Sequence, residues 1–97
     1  MTEQQAVDKI NAHKGLMVNE DRLVPMFMGI LFDDQPQVLK KYLLGNGSYS
    51  ATVNWTNTPD GSWVGVAVPG LKHTIAVDIM HDKAAGKVTL GEASIKW

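Results

Sequence analysis

The spacing of apolar residues changes near Gly45, and this change divides the chain into two parts. Before Gly45, apolar side chains recur every three or four residues, which is typical of amphipathic helices. After it they alternate with polar side chains, and glycine and proline separate short segments, as in strands joined by turns. The pattern predicts one α+β domain over residues 1–97, with a helical part (1–45) followed by a β-meander (46–97).

The first and last predicted helices have recognisable ends. Thr2 and Gln5 have the spacing of a capping box, so a short amphipathic helix is expected to begin after Thr2. Pro36 is suited to the first turn of a later helix, for which Asp34 is the predicted N-cap and Gly45 the stop. With the segment between them, these signals predict two to three short N-terminal helices.

The apolar run over residues 26–32 lies between these helices and is compatible with a helix or a buried strand. Asn19 resembles an N-cap, but Pro25 inside a helix costs roughly 3 kcal/mol, so a kink or a late start at Pro25 is expected. Ile30 is the only β-branched residue of the run, which favours a helix. Because the run is apolar on every side, either the sheet and helices or a second chain must cover it. A homodimer or protein partner would contact it through Met26, Met28 and Phe32.

The second half of the chain predicts a four-stranded antiparallel β-meander with the helices packed on one face. Glycine and proline between the alternating segments mark its turns. The alternation divides the side chains between an aliphatic face, where we expect the helices to pack, and a second face that carries Trp55 and Trp63. The strands are expected at about residues 49–57, 62–68, 72–81 and 87–97.

The aliphatic face continues into the last strand only if that strand contains a bulge. Val88 and Leu90 alternate cleanly with polar residues, but the parity shifts after Gly91. A β-bulge at Gly91 would return the later apolar residues of the strand to the aliphatic face. These residues are Ala93, Ile95 and Trp97.

Trp55 and Trp63 flank a turn signal, and the turn type decides which way they point. The Pro-Asp-Gly segment between them predicts a three-residue hairpin turn that pairs Thr58 with Ser62. This register pairs Trp55 with Gly65 and places both tryptophans on one face, with Trp63 the more exposed. Either the rest of the chain covers this face or the face binds a partner. The predicted partner-binding residues on it are Tyr49, Trp55 and Trp63.

Composition narrows the chemistry that the chain can carry out. The sequence has no cysteine, which excludes disulfides, thiolate catalysis and iron–sulfur ligation. His73 and His81 would lie about 26 Å apart along a strand at ~3.3 Å per residue, so no metal site and no cofactor are predicted. Nucleophile motifs and phosphate-binding glycine loops are absent, and a formal net charge of -1 gives no general attraction to nucleic acid.

The chain is expected to be cytosolic and not to associate with a membrane. Its opening residues are polar and lack the charged-then-apolar order of a secretory signal. Its longest apolar run, residues 26–32, is much shorter than the roughly 20 residues that span a bilayer.

Asp78 is the one candidate for acid–base chemistry. It falls in the middle of a strand on the face predicted to carry the tryptophans, where burial would suit it to act as a general base. The alternative is a carboxylate that faces water. The sequence favours a small protein-interaction module that binds a protein partner or self-associates and has no catalytic activity. The other hypotheses are a small-molecule-binding protein or enzyme with Asp78 in an aromatic-lined cleft, and a carbohydrate binder that uses Trp55 and Trp63.

Overall fold

Within residues 1–58 and 61–96, which the computed structural model describes, the fold has three α-helices and one five-stranded antiparallel sheet. The α+β class is therefore confirmed. The helices are α1 (Glu3–Asn11), α2 (Leu23–Leu31) and α3 (Pro36–Leu43), and short 3₁₀ turns cover Glu20–Arg22 and Gly47–Tyr49. The strands lie in the order β1-β5-β4-β3-β2 across the sheet. Their bounds are β1 (Met17–Asn19), β2 (Thr52–Thr58), β3 (Gly61–Ala67), β4 (Ile75–Asp82) and β5 (Lys87–Ile95).

β1 is the strand that the sequence pattern does not predict. Its three residues are too few to show an alternation, and the strand forms by pairing with β5, where Met17 lies opposite Thr89. The prediction of four strands is therefore wrong, because this fifth strand lies at one edge of the sheet, whereas β2 to β5 form an antiparallel meander. Asn19 ends β1 and occupies the N-cap position of the next turn, as predicted, but its side chain makes no cap hydrogen bond.

α1 begins as predicted, with a capping box at Thr2. The Thr2 Oγ1 accepts a hydrogen bond from the Gln5 backbone N–H at 3.2 Å, and the Gln5 Oε1 accepts one from the Thr2 N–H at 2.8 Å. The apolar stripe that follows is buried and packs mainly toward β5. It consists of Ala6, Val7 and Ile10.

The apolar run over residues 26–32 is helical. Pro25 is the third residue of α2 and lies in its first turn, where backbone amides have no acceptor within the helix, so proline removes no helical hydrogen bond. Phe27 and Met28 are fully buried, and Phe32 is 4% exposed; all three belong to one core with side chains of α1 and the sheet. The chain's own elements thus cover this run, and its burial needs no second chain.

α3 begins without the predicted cap. Its N-cap is Gln35, which makes no side-chain cap bond, and the Asp34 carboxylate instead accepts a hydrogen bond from the Lys9 Nζ at 3.0 Å. The helix ends before Gly45, whose φ of 89° is left-handed, as predicted. No residue of α3 is fully buried, so this helix packs more loosely on the core than α1 and α2 do.

One face of the sheet forms a common core with the helices. Valine and isoleucine side chains of β3 and β4 fill this core face, as the predicted aliphatic face requires. The buried residues on it from these two strands are Val64, Val66, Ile75, Val77 and Ile79.

The predicted bulge in β5 is confirmed. Two residues of β5 separate Leu90 from Ala93, whereas a single residue of β4 separates their partners Ile79 and Val77. The extra residue restores the inward direction, and Leu90 and Ala93 are both buried. Trp97, predicted to continue this face, lies outside the described residues.

The hairpin of β2 and β3 has a register one residue away from the predicted one. Trp55 pairs with Val64, and Trp63 pairs with Thr56. The expected pairing of Trp55 with Gly65 is therefore wrong. The glycine of the Pro-Asp-Gly segment is the first residue of β3 and not part of a three-residue turn; the two residues before it lie outside the described residues. Because side chains alternate between faces, this shift puts the two tryptophans on opposite faces of the sheet.

Candidate functional site

The face of the sheet opposite the core is open. Residues that lie opposite each other in an antiparallel register direct their side chains to the same face, so the register assigns each residue to a side. Most side chains on this open face are exposed or partly exposed, and that of Met80 is 76% exposed. The open face includes Met17, Thr52, Asn54, Thr56, Trp63, Gly65, Ala67, Thr74, Ala76, Asp78, Met80, Thr89 and Ser94.

Trp63 is the large aromatic side chain of the open face. Its neighbours in the register are Thr56 on β2 and Asp78 on β4. A Cβ atom on Gly65 would lie 3.5 Å from the Trp63 Cζ3 and 3.1 Å from the Thr74 Cγ2. Because Gly65 has no side chain, there is room beside it for the Trp63 ring. The sequence predicted that Trp55, and not Trp63, would lie beside this glycine.

Lys96 brings a positive charge to the Trp63 ring. Its Nζ lies 4.7 Å from the ring centroid, which is within the range of a cation–π interaction of about 0.5–1 kcal/mol at an exposed site. The backbone positions this lysine, because the Lys96 N–H donates a hydrogen bond to the Thr74 carbonyl at 2.7 Å. The Lys96 ammonium therefore lies over the Trp63 ring, and a backbone hydrogen bond fixes the position of Lys96.

These side chains line a shallow cavity of about 360 Å³ on the open face. It offers an aromatic surface, amide and hydroxyl groups that donate and accept hydrogen bonds, and one ammonium group. Among the described residues that line it there is no carboxylate and no imidazole, so the arrangement is suited to binding and not to proton transfer. We refer to it as the Trp63 cavity; its lining is Asn54, Thr56, Trp63, Gly65, Thr74 and Lys96.

Asp78 does not lie in a cleft. It is exposed on the open face, opposite Trp63, and it is not part of the lining of the Trp63 cavity. The burial on which its predicted role as general base depends is missing. The structure instead has the alternative arrangement, in which this carboxylate faces water.

Trp55 lies at the rim of the core face, together with residues of the first 3₁₀ turn. It is 43% exposed, more than Trp63, which reverses the predicted order. Its ring centroid is 4.9 Å from that of His81, with an angle of 37° between the planes. Glu20 and Asp21 line the same small depression. The two tryptophans therefore belong to two separate surfaces.

His81 and Glu20 are in contact, and the sequence does not predict this contact. The His81 Nε2 lies 2.7 Å from the Glu20 Oε2, and the histidine side chain is only 13% exposed. Its Nδ1 is buried and has no hydrogen-bond partner among the described residues. Because one ring nitrogen contacts a carboxylate and the other is buried, neither is presented to a substrate. The 61 residues that separate the partners leave no local sequence signal.

The other predicted partner-binding residues do not join Trp63. Tyr49 is partly buried in the second 3₁₀ turn, where its hydroxyl accepts a hydrogen bond from the Lys41 Nζ at 3.2 Å. Met28 and Phe32 are core residues, and Met26 packs partly buried against the same core. Because Met28 and Phe32 are buried in the chain's own core, a partner cannot contact them in this fold.

Lys9 joins α1 to the segment between α2 and α3. Its Nζ donates hydrogen bonds to the Asp33 Oδ1 at 2.7 Å and to the Asp34 Oδ1 at 3.0 Å. The hydrogen bond from Lys9 lowers the pKa of Asp33, and the same bond raises the pKa of Lys9. This cluster links two helical elements at the surface and has a structural role.

Comparison of the chain with protein-family models, curated proteins and solved structures found no match. Across the described part of the chain, no helix has both the length and the apolar character needed to cross a membrane. No three potential metal ligands come together among the described residues. A function is therefore inferred from the geometry of the open face and of its Trp63 cavity.

Proposed function

We propose that this protein is a small cytosolic interaction module that binds a protein partner through the open face of its sheet. The observation that carries this proposal is the position of Trp63, a partly exposed ring on the face opposite the helix-packed core. Tryptophan is among the side chains that contribute most to protein interfaces. Because Lys96 already contacts the ring, part of the side-chain entropy cost of ordering Trp63 is met before a partner binds.

The cavity is suited to a partner segment of mixed character. An apolar side chain of the partner would lie against Trp63, and backbone or side-chain polar groups would bond to Asn54 and Thr56 near the β2 edge. The exposed Met80 on β4 adds apolar surface to the same face. A surface of this kind carries little net charge, so the affinity would depend only weakly on salt.

The two tryptophans provide a matched test of this proposal. Wild-type, Trp63→Ala and Trp55→Ala chains are immobilised, and proteins retained from an extract of the source cells are quantified. The expected result is a protein retained by the wild type and by Trp55→Ala and lost with Trp63→Ala. With that protein purified, Trp63→Ala should weaken binding by about 2 kcal/mol, which is roughly 30-fold. Equal retention by all three chains would contradict the proposal.

Carbohydrate binding is the second candidate, because three uncharged hydrogen-bonding side chains line the cavity together with the Trp63 ring. Asn54, Thr56 and Thr74 are amide and hydroxyl groups of the kind that bond to sugar hydroxyls. A glycan array probed with wild-type and Trp63→Ala chains tests it. Binding of a glycan class that disappears with Trp63→Ala, without a protein that behaves in the same way, would replace the protein-binding proposal.

No catalytic role is proposed. Asp78 was the candidate general base, and it is exposed to water outside the Trp63 cavity. The His81 nitrogens are paired or buried. A small-molecule ligand at the Trp63 cavity would be bound and not transformed.

A further inference from the structure

The two edges of the sheet differ in how they resist pairing with another strand. β1 is three residues long and runs directly into the charged turn Glu20–Arg22, and short edges with nearby charges discourage pairing. β2, the opposite edge, is seven residues long and reads TVNWTNT, without a charged residue or a proline. Its pairing with β3 is unbroken by any bulge. Within its seven residues β2 therefore lacks the features that protect an edge strand; Pro59 and Asp60 follow it in the sequence.

The outer side of β2 has unpaired backbone groups. In an antiparallel edge strand, alternate residues direct both N–H and C=O away from the sheet. Among the described residues, β2 has a backbone ladder with β3 and no backbone hydrogen bond to a further element. Thr52, Asn54 and Trp55 are exposed along it. The outward backbone N–H and C=O groups of β2 can therefore form hydrogen bonds with one more strand.

We propose that β2 pairs antiparallel with β2 of a second copy of this chain, about a two-fold axis at Trp55. Trp55 is the central residue of Thr52–Thr58, so an axis there gives all seven residues a partner. The register places Asn54 opposite Thr56 of the second copy and Trp55 opposite its own equivalent. Each Trp55 ring lies against His81 of its own chain, so the pairing depends on the backbone hydrogen bonds of the ladder. The result is one continuous ten-stranded sheet across two copies.

A second copy fits this edge because the edge is complementary to itself. Antiparallel pairing of a strand with its own copy brings identical residues close together, so a charged edge would repel its copy. β2 has no charge, and the register centred on Trp55 brings no like charges together: Thr52 faces Thr58, Asn54 faces Thr56 and Val53 faces Asn57. This pairing depends on backbone hydrogen bonds along the β2 edge, whereas the proposed function depends on the Trp63 ring on β3; Asn54 and Thr56 take part in both. A Trp63 substitution and a Trp55 substitution therefore distinguish failure of one from failure of the other.

The wild-type chain allows a test without any substitution. Sedimentation equilibrium and amide hydrogen exchange are measured from about 1 µM to about 1 mM. We expect a shift from the mass of one chain to that of two, together with exchange at least about tenfold slower in β2 at high concentration. β1, the other edge, is the internal control and should exchange at the same rate throughout. A chain that stays monomeric, or a dimer that protects other segments and not β2, would overturn the proposal.

Charge substitutions at the axis test the register. Trp55→Lys and Trp55→Glu each place like charges opposite each other in the dimer, so each variant alone should sediment as a monomer. An equimolar mixture should recover the dimer, because opposite charges then meet. Met80→Lys, an exposed change on another strand, should dimerise as the wild type does. Cooperative thermal unfolding of each variant shows that it is folded. Folded Trp55 variants that still dimerise alone, or a mixture that stays monomeric, would overturn the register.

Discussion

Trp55 and Trp63 lie on opposite faces of the sheet, because Trp55 pairs with Val64 and Trp63 with Thr56. Trp63 is on the open face, whereas Trp55 is at the rim of the core face beside His81. Substitutions of the two rings therefore report on different surfaces. Trp63→Ala tests the partner-binding proposal, and charge changes at Trp55 test the pairing of β2 with a second copy.

Two methionines in different surroundings test the assignment of the core. Met28 is fully buried, and its sulfur accepts a hydrogen bond from the Ala51 N–H at 3.3 Å, whereas Met80 is 76% exposed. We expect Met28→Ala to lower the free energy of unfolding by about 2–5 kcal/mol. Met80→Ala, the matched control, should change it by less than about 0.5 kcal/mol. Urea unfolding measures both, and similar values for the two variants would contradict the placement of α2.

Two glycines test the bulge in β5. A Cβ on Gly91 would lie 3.0 Å from the Asp78 carbonyl oxygen, and this backbone atom cannot move aside as a flexible side chain could. Gly91→Ala should therefore destabilise the chain by about 1–3 kcal/mol. Gly29 lies in α2 with no atom within 4 Å of an added Cβ, so Gly29→Ala should stabilise by about 0.5–1 kcal/mol. Thermal unfolding that gives both variants the same sign would count against the bulge.

The surface cluster around Lys9 should make stability depend on acid pH. The hydrogen bond from Lys9 lowers the pKa of Asp33 below the ordinary aspartate value of 3.8, so the bond stabilises the fold at pH values above 3.8. The contribution is lost as the pH falls through the lowered value. In Lys9→Met, the pKa of Asp33 should return toward 3.8, and the stability difference from the wild type should shrink in acid.

Carboxyl-detected NMR titration of Asp33 measures this directly. Lys14→Met, which removes a charge from the exposed segment after α1, is the control and should leave the Asp33 titration unchanged. If Asp33 titrated identically in the wild type and in Lys9→Met, the hydrogen bond between the two side chains would not persist in solution.

The elements that could be predicted from the sequence are those with a local signal. The capping box at Thr2 is a short motif, the run over residues 26–32 has few β-branched residues, and the last strand alternates on both sides of Gly91. β1 could not be predicted, because three residues show no period and the strand depends on pairing with β5. Burial of Met28 and Phe32 by the chain itself was one of two alternatives that the pattern allowed.

The candidate site was harder to predict because it depends on single-residue differences and long-range contacts. A two-residue connection and a three-residue turn differ by one position. The three-residue turn would put Trp63 on the same face as Trp55, whereas the two-residue connection puts it on the opposite face. The contact of His81 with Glu20 joins residues 61 positions apart and has no local signal. The sequence predicts that Trp55 lies opposite Gly65, but the ring beside this glycine is that of Trp63 on the same strand.

Both proposals depend on the register of the β2–β3 hairpin, and one NMR measurement tests it most directly. Backbone cross-strand contacts in an isotope-labelled chain identify which residues lie opposite each other. We expect contacts of Trp55 with Val64 and of Thr56 with Trp63. These contacts place Trp63 on the open face and Trp55 on the opposite face. Contacts of Trp55 with Gly65 would instead put both tryptophans on one face and contradict the account.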